Sequence, residues 1–226
     1  ALIMAHSDDN GLVLPPKIAP VQVVIIPIAK TPEDEAKVYE YIDNFTAKLK
    51  SLRYCDKKIR IEIDKRDVNS GEKSWYWIKK GVPIRIEIGM KDIQNNSVFV
   101  GRRDFGPKDK KSYSTDDFAT QLTTILDEIQ NNIFQKALKF RNENIINIDS
   151  KEDFYKYFTA KNAEKPEIHG GFALSHWCES AECEDKIKEE LKVTIRCIPL
   201  DSKEEDGVCI CCGKPSKRKV IFAKNY

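Results

Sequence analysis

The sequence lacks any long uninterrupted apolar segment. No run of about 18 apolar residues occurs, so we expect no membrane span. Ala1–Ile3 follows no basic segment and leads into charged residues, which argues against a signal peptide. Internal repeats and low-complexity tracts are also absent. The chain has no initiator methionine and opens on an apolar run, from which we expect it to be a piece of a longer protein.

An excess of charge of either sign is missing too. The 38 Lys and Arg residues nearly balance 36 Asp and Glu residues, which leaves a formal net charge of +2. This balance permits a nucleic-acid partner without requiring one, so any basic binding surface must be local. The 226 residues, 41% of them hydrophobic, provide enough core for one large domain or two modest domains.

The seven cysteines are odd in number and concentrated near the C-terminus. They fit a reducing compartment, and a metal or structural role, better than a secreted disulfide framework. Two close pairs, C-x4-C and C-x2-C, contain enough thiolates for a tetrahedral zinc ion that would join two distant segments. The sequence therefore predicts a structural zinc site with the ligands Cys178, Cys183, Cys209 and Cys212.

Spacing alone leaves alternatives to this ligand set. Cys211 competes with Cys212 as the fourth ligand, and His176 is a further candidate. Reduced, buried cysteines without a metal are the structural alternative. Cys55 and Cys197 have apolar neighbours, and we expect them to be packing residues.

Hydrophobic periodicity predicts an α/β fold. Val21–Ile28 is typical of a central strand, and Ala1–Ala5 indicates a short strand. We expect a mixed, mostly parallel sheet flanked by helices, followed by a smaller α/β domain. Further strands are predicted at 59–64, 84–89, 97–101, 145–148, 172–177, 193–199 and 219–223; helices at 31–52, 70–81, 114–142, 151–161 and 182–191; and a charged loop at 106–114.

The segment Gly81–Arg103 carries the candidate binding residues. Its isoleucines alternate with Arg85, Glu87 and Gly89, the period of a strand with one apolar face. A carboxylate near cationic groups suits the edges of unpaired bases, guanine in particular. We therefore predict that RNA bases are recognised by Glu87, Lys91, Asp92, Arg102 and Arg103. The structural alternative is a surface ion pair of Glu87 with Arg85 or Arg103.

Two neighbouring segments have weaker signals. Lys108, Lys110 and Lys111 would contact phosphate or solvate a loop. The aromatic residues Trp75–Trp77 could stack on a base, but their helical context favours core packing for at least two of them.

Three stretches, in this order, resemble prolyl-tRNA synthetases of the eukaryote-like type, which are class II enzymes. His6–Ile28 (HSDDNGLVLPPKIAPVQVVIIPI) resembles the exit of the third class II motif, Gly81–Arg103 resembles the GVPIRIEIGPRD…VRRD core of the anticodon-binding domain, and Val208–Tyr226 (VCICCGKPSKRKVIFAKNY) resembles the cysteine-bearing tail with its terminal tyrosine. Ser7 and Met90 stand where the family usually has glycine and proline.

The resemblance implies three parts. These are residues 1–20 at the end of the catalytic domain, an anticodon-binding domain at 21–130, and a zinc-binding-like domain at 131–226. It places no catalytic residue in this chain, with His6 at most at the rim of the pocket, and it makes Tyr226 an interdomain anchor.

The resemblance also implies a cytoplasmic enzyme that binds ATP, Mg²⁺, proline and proline tRNA and forms a homodimer through an upstream catalytic domain. Two alternatives stay open: a stand-alone RNA-binding module, and the anticodon domain of another class II synthetase such as the threonyl or glycyl enzyme.

Overall fold

The structure is a computed structural model and describes residues 1–162, 164 and 169–225. Tyr226, the expected anchor, lies outside these residues. The chain divides into two units, Ala1–Ala137 and Leu138–Tyr226. Within the described part of the chain, no helix combines the length and the apolar character that crossing a membrane requires.

The first unit contains a mixed five-stranded sheet with helices. Its elements are α1 (Leu2–His6), β1 (Val23–Ile28), α2 (Pro32–Leu49), β2 (Arg53–Tyr54), β3 (Lys57–Lys58), β4 (Ile61–Ile63), α3 (Ser70–Lys79), β5 (Ile84–Gly89), α4 (Met90–Gln94), β6 (Ser97–Arg102), β7 (Lys110–Ser114) and α5 (Thr115–Glu143), which continues into the second unit. The strand order is β4-β1-β5-β6-β7. Strand β1 is parallel to both neighbours, whereas β5, β6 and β7 pair antiparallel, which confirms the expected mixed α/β sheet.

The two faces of this sheet bury different side chains. One face presents Ile25, Ile84 and Ile86 to a large core that α2 and α5 complete. On the opposite face, Val24 and Ile26 pack with Trp77 of α3. Because successive residues of a strand point to opposite faces, the positions between the isoleucines of β5 lie on the α3 side.

Helices α2 and α3 both begin where the sequence predicts. The Thr31 hydroxyl accepts a hydrogen bond from the backbone N–H of Asp34, and Pro32 occupies the first turn. At α3, the side chain of Asn69 accepts from the backbone N–H of Glu72 at 2.9 Å. The predicted start at Ser70 is confirmed, and Asn69, the residue before it, caps the helix.

Two element predictions in the first unit are wrong. Ala1–Ala5 lies largely in helix α1, none of whose residues is buried, rather than in a strand. Leucine, methionine and alanine favour a helix, and the run pairs with no described strand. The predicted loop at 106–114 contains strand β7, which pairs with β6 from Gly101↔Lys110 to Ser97↔Ser114.

Some packing predictions are also wrong. Of the three consecutive aromatic residues only Trp77 is buried, because successive residues on a helix differ by about 100° in direction. Tyr76 instead lies under the guanidinium of Arg66, whose Cζ atom is 3.8 Å from the centroid of the tyrosine ring. Cys55 and Cys197 are exposed rather than packed.

The second unit has its own sheet and core. Its further elements are β8 (Ile145–Asn147), α6 (Lys151–Phe158), β9 (Phe172–His176), α7 (Ala181–Leu191), β10 (Val193–Cys197), β11 (Gly207–Val208), β12 (Pro215–Ser216) and β13 (Lys219–Lys224). The order β10-β13-β9-β8 includes one parallel pair, β8 with β9. Phe154 and Phe158 of α6 pack with Phe222 of β13 in this core.

Candidate nucleic-acid interface and metal centre

Glu87, Phe99 and Lys110 lie together on the α3 side of the first sheet, and we call this surface the Glu87 face. The register pairs Glu87 with Phe99 across β5 and β6, and it pairs Gly101 with Lys110 across β6 and β7. Directly paired residues share a face, so the strand pairing alone brings a carboxylate, an aromatic ring and an ammonium group together.

The side chains of the Glu87 face contact one another and remain partly open to solvent. Lys110 Nζ donates to Glu87 Oε1 at 2.6 Å, and these side chains are 20% and 14% exposed. Phe99 is 37% exposed, and Lys110 Nζ lies 5.6 Å from its ring centroid. An open aromatic ring beside hydrogen-bonding groups of both signs is the combination that proteins use for unpaired bases.

Arg102 lies opposite Ile84 and therefore on the other face of the sheet. Its guanidinium donates to Asp104 at 2.8 and 3.1 Å and to Glu128 of α5 at 2.6 Å. Burial alone would lower the pKa of Arg102, but these hydrogen bonds outweigh it and raise the pKa. The structure therefore does not bring Arg102 together with Glu87.

Arg103 is buried, with 2% of its side chain exposed. It donates to both carboxylate oxygens of Asp8 at 2.6 and 2.8 Å, and to the carbonyl oxygens of Leu12, Ile78 and Gly11. The hydrogen bonds from Arg103 lower the pKa of Asp8 below its ordinary value. In this arrangement Arg103 fixes the segment around Asp8 to the sheet, and its donors point at protein groups.

Lys91 and Asp92 lie on α4, the helix that begins where β5 ends. The Asp92 carboxylate accepts a hydrogen bond from the backbone N–H of Gly89 at 2.9 Å and so caps this short helix. Lys91 is exposed, as are Lys108 and Lys111. His6, the expected rim residue, is the last residue of α1 and is half-buried.

Sequence reasoning missed Phe99 as a member of this region and expected Arg85 at the surface, whereas Arg85 is buried. Phe99 looked like one residue of an apolar strand, Val98–Val100, whereas the pleat sends it to the face opposite its two neighbours. The signal was available, because strict alternation places Phe99 on one face and both valines on the other. The burial of Arg85 carried no such signal, since its cover comes from other strands.

The four first-choice cysteines lie close together in the second unit. All their sulfur atoms lie within 4.8 Å of one another. The Cys178 sulfur is 3.6 Å from that of Cys183 and 3.7 Å from that of Cys212. Sulfurs at the corners of a tetrahedron around zinc are separated by about 3.8 Å, from Zn–S bonds of about 2.3 Å. The donor set and its spacing therefore fit a structural zinc ion.

Local backbone geometry builds this cluster from two segments. Strands β11 and β12 form a hairpin whose tip contains Cys209 and Cys212. The tip closes through hydrogen bonds from the Cys209 N–H to Lys214 O and from the Gly213 N–H to Cys209 O, with Gly213 at φ +73°. A positive φ favours glycine, so the C-x2-C-G spacing is what lets the chain turn back. The other segment supplies Cys178 before α7 and Cys183 within its first turn.

The thiols differ in their readiness to ionise. Burial raises the pKa of Cys178 and of Cys183. A hydrogen bond from the backbone of Lys214 lowers the pKa of Cys212 to about 7. Cys211 and His176 are both buried and stand outside the four-sulfur cluster. The His176 ring instead contacts Ser216 Oγ at 3.3 Å.

The sequence matches two families over the segments just described. Residues 22–125 match the family described as "Anticodon binding domain", and residues 163–226 match "Prolyl-tRNA synthetase, C-terminal". Over its whole length, the chain is similar to the C-terminal part of prolyl-tRNA synthetases. The match over 163–226 favours the prolyl family over a threonyl or glycyl synthetase.

Curated relatives match the chain along its whole length. Proline–tRNA ligase of Protochlamydia amoebophila is 45% identical over 227 residues, and proline–tRNA ligase of Bdellovibrio bacteriovorus is 45% identical over 225 residues. Each match includes 100% of this chain but only 45% and 44% of the respective relative. The chain thus corresponds to less than half of a prolyl-tRNA synthetase of this type.

Proposed function

We propose that this chain is the tRNA-recognising C-terminal part of an enzyme that joins proline to its tRNA. In the whole enzyme, ATP and proline form prolyl-adenylate with Mg²⁺ in an upstream catalytic domain, and the tRNA then receives the prolyl group. The proposed parts are the catalytic-domain exit (1–20), the anticodon-binding domain (21–130) and the zinc-binding-like domain (131–226). The proposal also includes a cytoplasmic homodimer.

The Glu87 face carries the proposal for the first unit. The Glu87 carboxylate can accept hydrogen bonds from the N–H groups of guanine. A proline anticodon presents two guanine bases. Phe99 offers a ring on which a base can stack. Lys110 offers a charge to a backbone phosphate, with Lys91, Lys108 and Lys111 as further exposed cations.

We propose different roles for the five residues that the sequence predicted to recognise bases. Glu87 contacts a base, while Asp92 fixes the start of α4 and so the direction of Lys91. Arg102 and Arg103 hold the sheet to α5 and to the Asp8 segment through the ion pairs described above. For these two arginines we therefore propose a supporting role.

In the second unit we propose a structural zinc ion held by Cys178, Cys183, Cys209 and Cys212. The near-tetrahedral spacing of the sulfurs supports this proposal. Bound zinc would tie the β11–β12 hairpin to the start of α7, and it would take no part in chemistry.

Binding of the chain to a transcript of a proline tRNA tests the proposal. We expect Glu87→Gln to weaken binding about tenfold, because one base contact is worth about 1–3 kcal/mol. Glu40→Gln neutralises an exposed carboxylate on α2, which packs on the other face of the sheet, and should bind like the unmodified chain. Equal affinities for both variants, or no binding by the unmodified chain, would contradict the proposal.

A further inference from the structure

The side chain of Arg85 is a buried cation that has no hydrogen-bond partner among the described residues. It lies on β5 between Val24 of β1 and Gly101 of β6, with 1% of its surface exposed. None of its three guanidinium nitrogens makes a hydrogen bond within the part of the chain that the structure describes. A buried charge without a partner is costly, so a compensating anion is expected in some state of the protein.

Gly101 provides the space that this guanidinium occupies. A Cβ atom at Gly101 would lie 3.0 Å from Arg85 Nη2 and 3.4 Å from Cγ of Lys110. The guanidinium and the Lys110 stem therefore share the space above the same glycine. Burial lowers the pKa of Arg85 to about 10, so the group still carries its charge near neutral pH.

The carboxylate that faces Arg85 belongs to Glu87. The two residues are two positions apart on one strand, so their side chains share a face, and the Glu87 charge opposes the effect of burial on Arg85. In this structure, Lys110 Nζ donates a hydrogen bond to Glu87 Oε1. The positive charge of Arg103 acts in the other direction and lowers the pKa of Arg85. The guanidinium donors of Arg103 already bind Asp8 and nearby carbonyl oxygens.

Lys110 is the partner best able to leave. It lies on β7, one of the two edge strands of the sheet, and its ammonium group ends a flexible four-carbon stem. An RNA phosphate near the Glu87 face would compete with Glu87 for this ammonium group. If Lys110 left, the Glu87 carboxylate would lose its only hydrogen-bonding partner among the described residues just when a base needs that carboxylate held in place.

We propose that Arg85 is a positioning residue, a second partner that takes over the Glu87 carboxylate when Lys110 turns to the phosphate backbone of bound RNA. This inference rests on the proposed function, because it takes the Glu87 face to be the base-reading surface. Arg85 itself touches no base. It keeps the carboxylate directed at the guanine N–H donors, so its effect is on the choice of base.

The test measures how strongly the full chain prefers guanine. The probes are a proline tRNA transcript and the same transcript with both anticodon guanines replaced by adenine, and the readout is the ratio of the two affinities. We expect Arg85→Met to reduce this ratio about tenfold, which is the typical effect of losing the discrimination at one base. In the Glu87→Gln background the same change should have no further effect, because Arg85 acts through Glu87.

Two controls separate positioning from folding. Arg85→Met should melt at the same temperature as the unmodified chain or higher, since it removes an uncompensated buried charge. Lys110→Met should weaken the binding of both transcripts alike and keep the guanine preference, because Arg85 is then free to hold Glu87. If Arg85→Met does not fold, Arg85→Gln is used in the same cycle.

The inference is overturned if the guanine preference survives loss of Arg85, or if the effects of the Arg85 and Glu87 substitutions multiply. If the unmodified chain binds neither transcript, the proposed function itself fails, and the inference fails with it. If the unmodified chain prefers guanine and loses this preference with Glu87→Gln but not with Arg85→Met, the proposed function stands and only the inference falls.

Discussion

The direction of single side chains determines which charges of the central sheet face solvent. Arg102 and Arg103 are adjacent in sequence, yet one bonds Asp104 and Glu128 beside α5 while the other bonds Asp8. Glu87 keeps part of its carboxylate open because its partner is a lysine on an edge strand. Proximity in sequence therefore overstates how many of these charges can meet one ligand.

The Asp8–Arg103 pair predicts a specific dependence of stability on pH. Arg103 lowers the pKa of Asp8 below 3.8, so the pair stabilises the fold above that pH, and the contribution is lost as pH falls through the lowered value. We expect Asp8→Asn to lower the free energy of unfolding at pH 7 by about 1–3 kcal/mol. The difference from the unmodified chain should shrink towards pH 2 in urea melts recorded across this range.

Asp9 offers a matched control for this experiment. It neighbours Asp8 but its side chain has no ion pair or hydrogen bond among the described residues, so Asp9→Asn should leave the pH dependence unchanged. A stability difference for Asp8→Asn that stayed constant from pH 7 to pH 2 would show that the carboxylate charge is not what holds Arg103.

The sequence predicts such residue-level roles only where they depend on local alternation. The burial of Ile84, Ile86 and Ile88 follows from the period of two, and so does the exposure of part of Glu87. The ion pair between Asp8 and Arg103 joins residues 95 positions apart, and no local pattern encodes it. Arg85 is buried by its neighbours on β1 and β6, which likewise depends on the tertiary fold.

At the scale of elements, strong periodicity was a reliable guide. Strand β1 is β-branched at every position except Pro27, and α5 repeats its apolar residues at helical spacing, so both were predicted close to their observed bounds. Strand β7 was missed because Lys110–Ser114 is polar, and an edge strand with two lysines reads as a solvated loop. The apolar run that forms α1 was misread because too few residues were present to distinguish the two periods.

The cysteine-bearing elements predict a dependence of the second unit on metal. The β11–β12 hairpin has only two residues in each strand, so a bond network through zinc would supply order that its backbone pairing lacks. We expect the purified chain to carry about one zinc ion, and its removal by a chelator to lower the melting temperature of the second unit. Metal analysis and a thermal melt before and after chelation measure both effects.

Cys211 and Cys212 are neighbouring thiols that separate metal binding from packing. Cys212→Ala removes a member of the four-sulfur cluster and should abolish bound zinc. Cys211→Ala removes a buried thiol outside that cluster and should retain the metal, with a loss of stability of about 1 kcal/mol from the smaller side chain. Zinc retained by the Cys212 variant and lost from the Cys211 variant would reverse the assignment of the fourth ligand.

On the scale of the whole molecule, the chain contains two units, each with its own sheet and buried core. The matches to the two families fall on different units, with residues 22–125 inside the first and 163–226 inside the second. We therefore expect that the proposed nucleic-acid recognition and the proposed metal binding can be disturbed independently. A substitution on the Glu87 face should therefore leave the zinc content unchanged.

The same separation predicts how a complete enzyme of this type responds to a change at Glu87. Since the relatives extend well beyond this chain, adenylate formation belongs to segments outside it under the proposed function. In a full-length enzyme, Glu87→Gln should reduce kcat/KM for aminoacylation of proline tRNA about tenfold and leave proline-dependent ATP–pyrophosphate exchange unchanged. Arg102→Met should instead lower thermal stability, because it leaves Asp104, whose side chain is 3% exposed, without its cation. Equal losses in both reactions for Glu87→Gln would mean that this residue supports folding, and the Glu87 face would no longer account for tRNA selection.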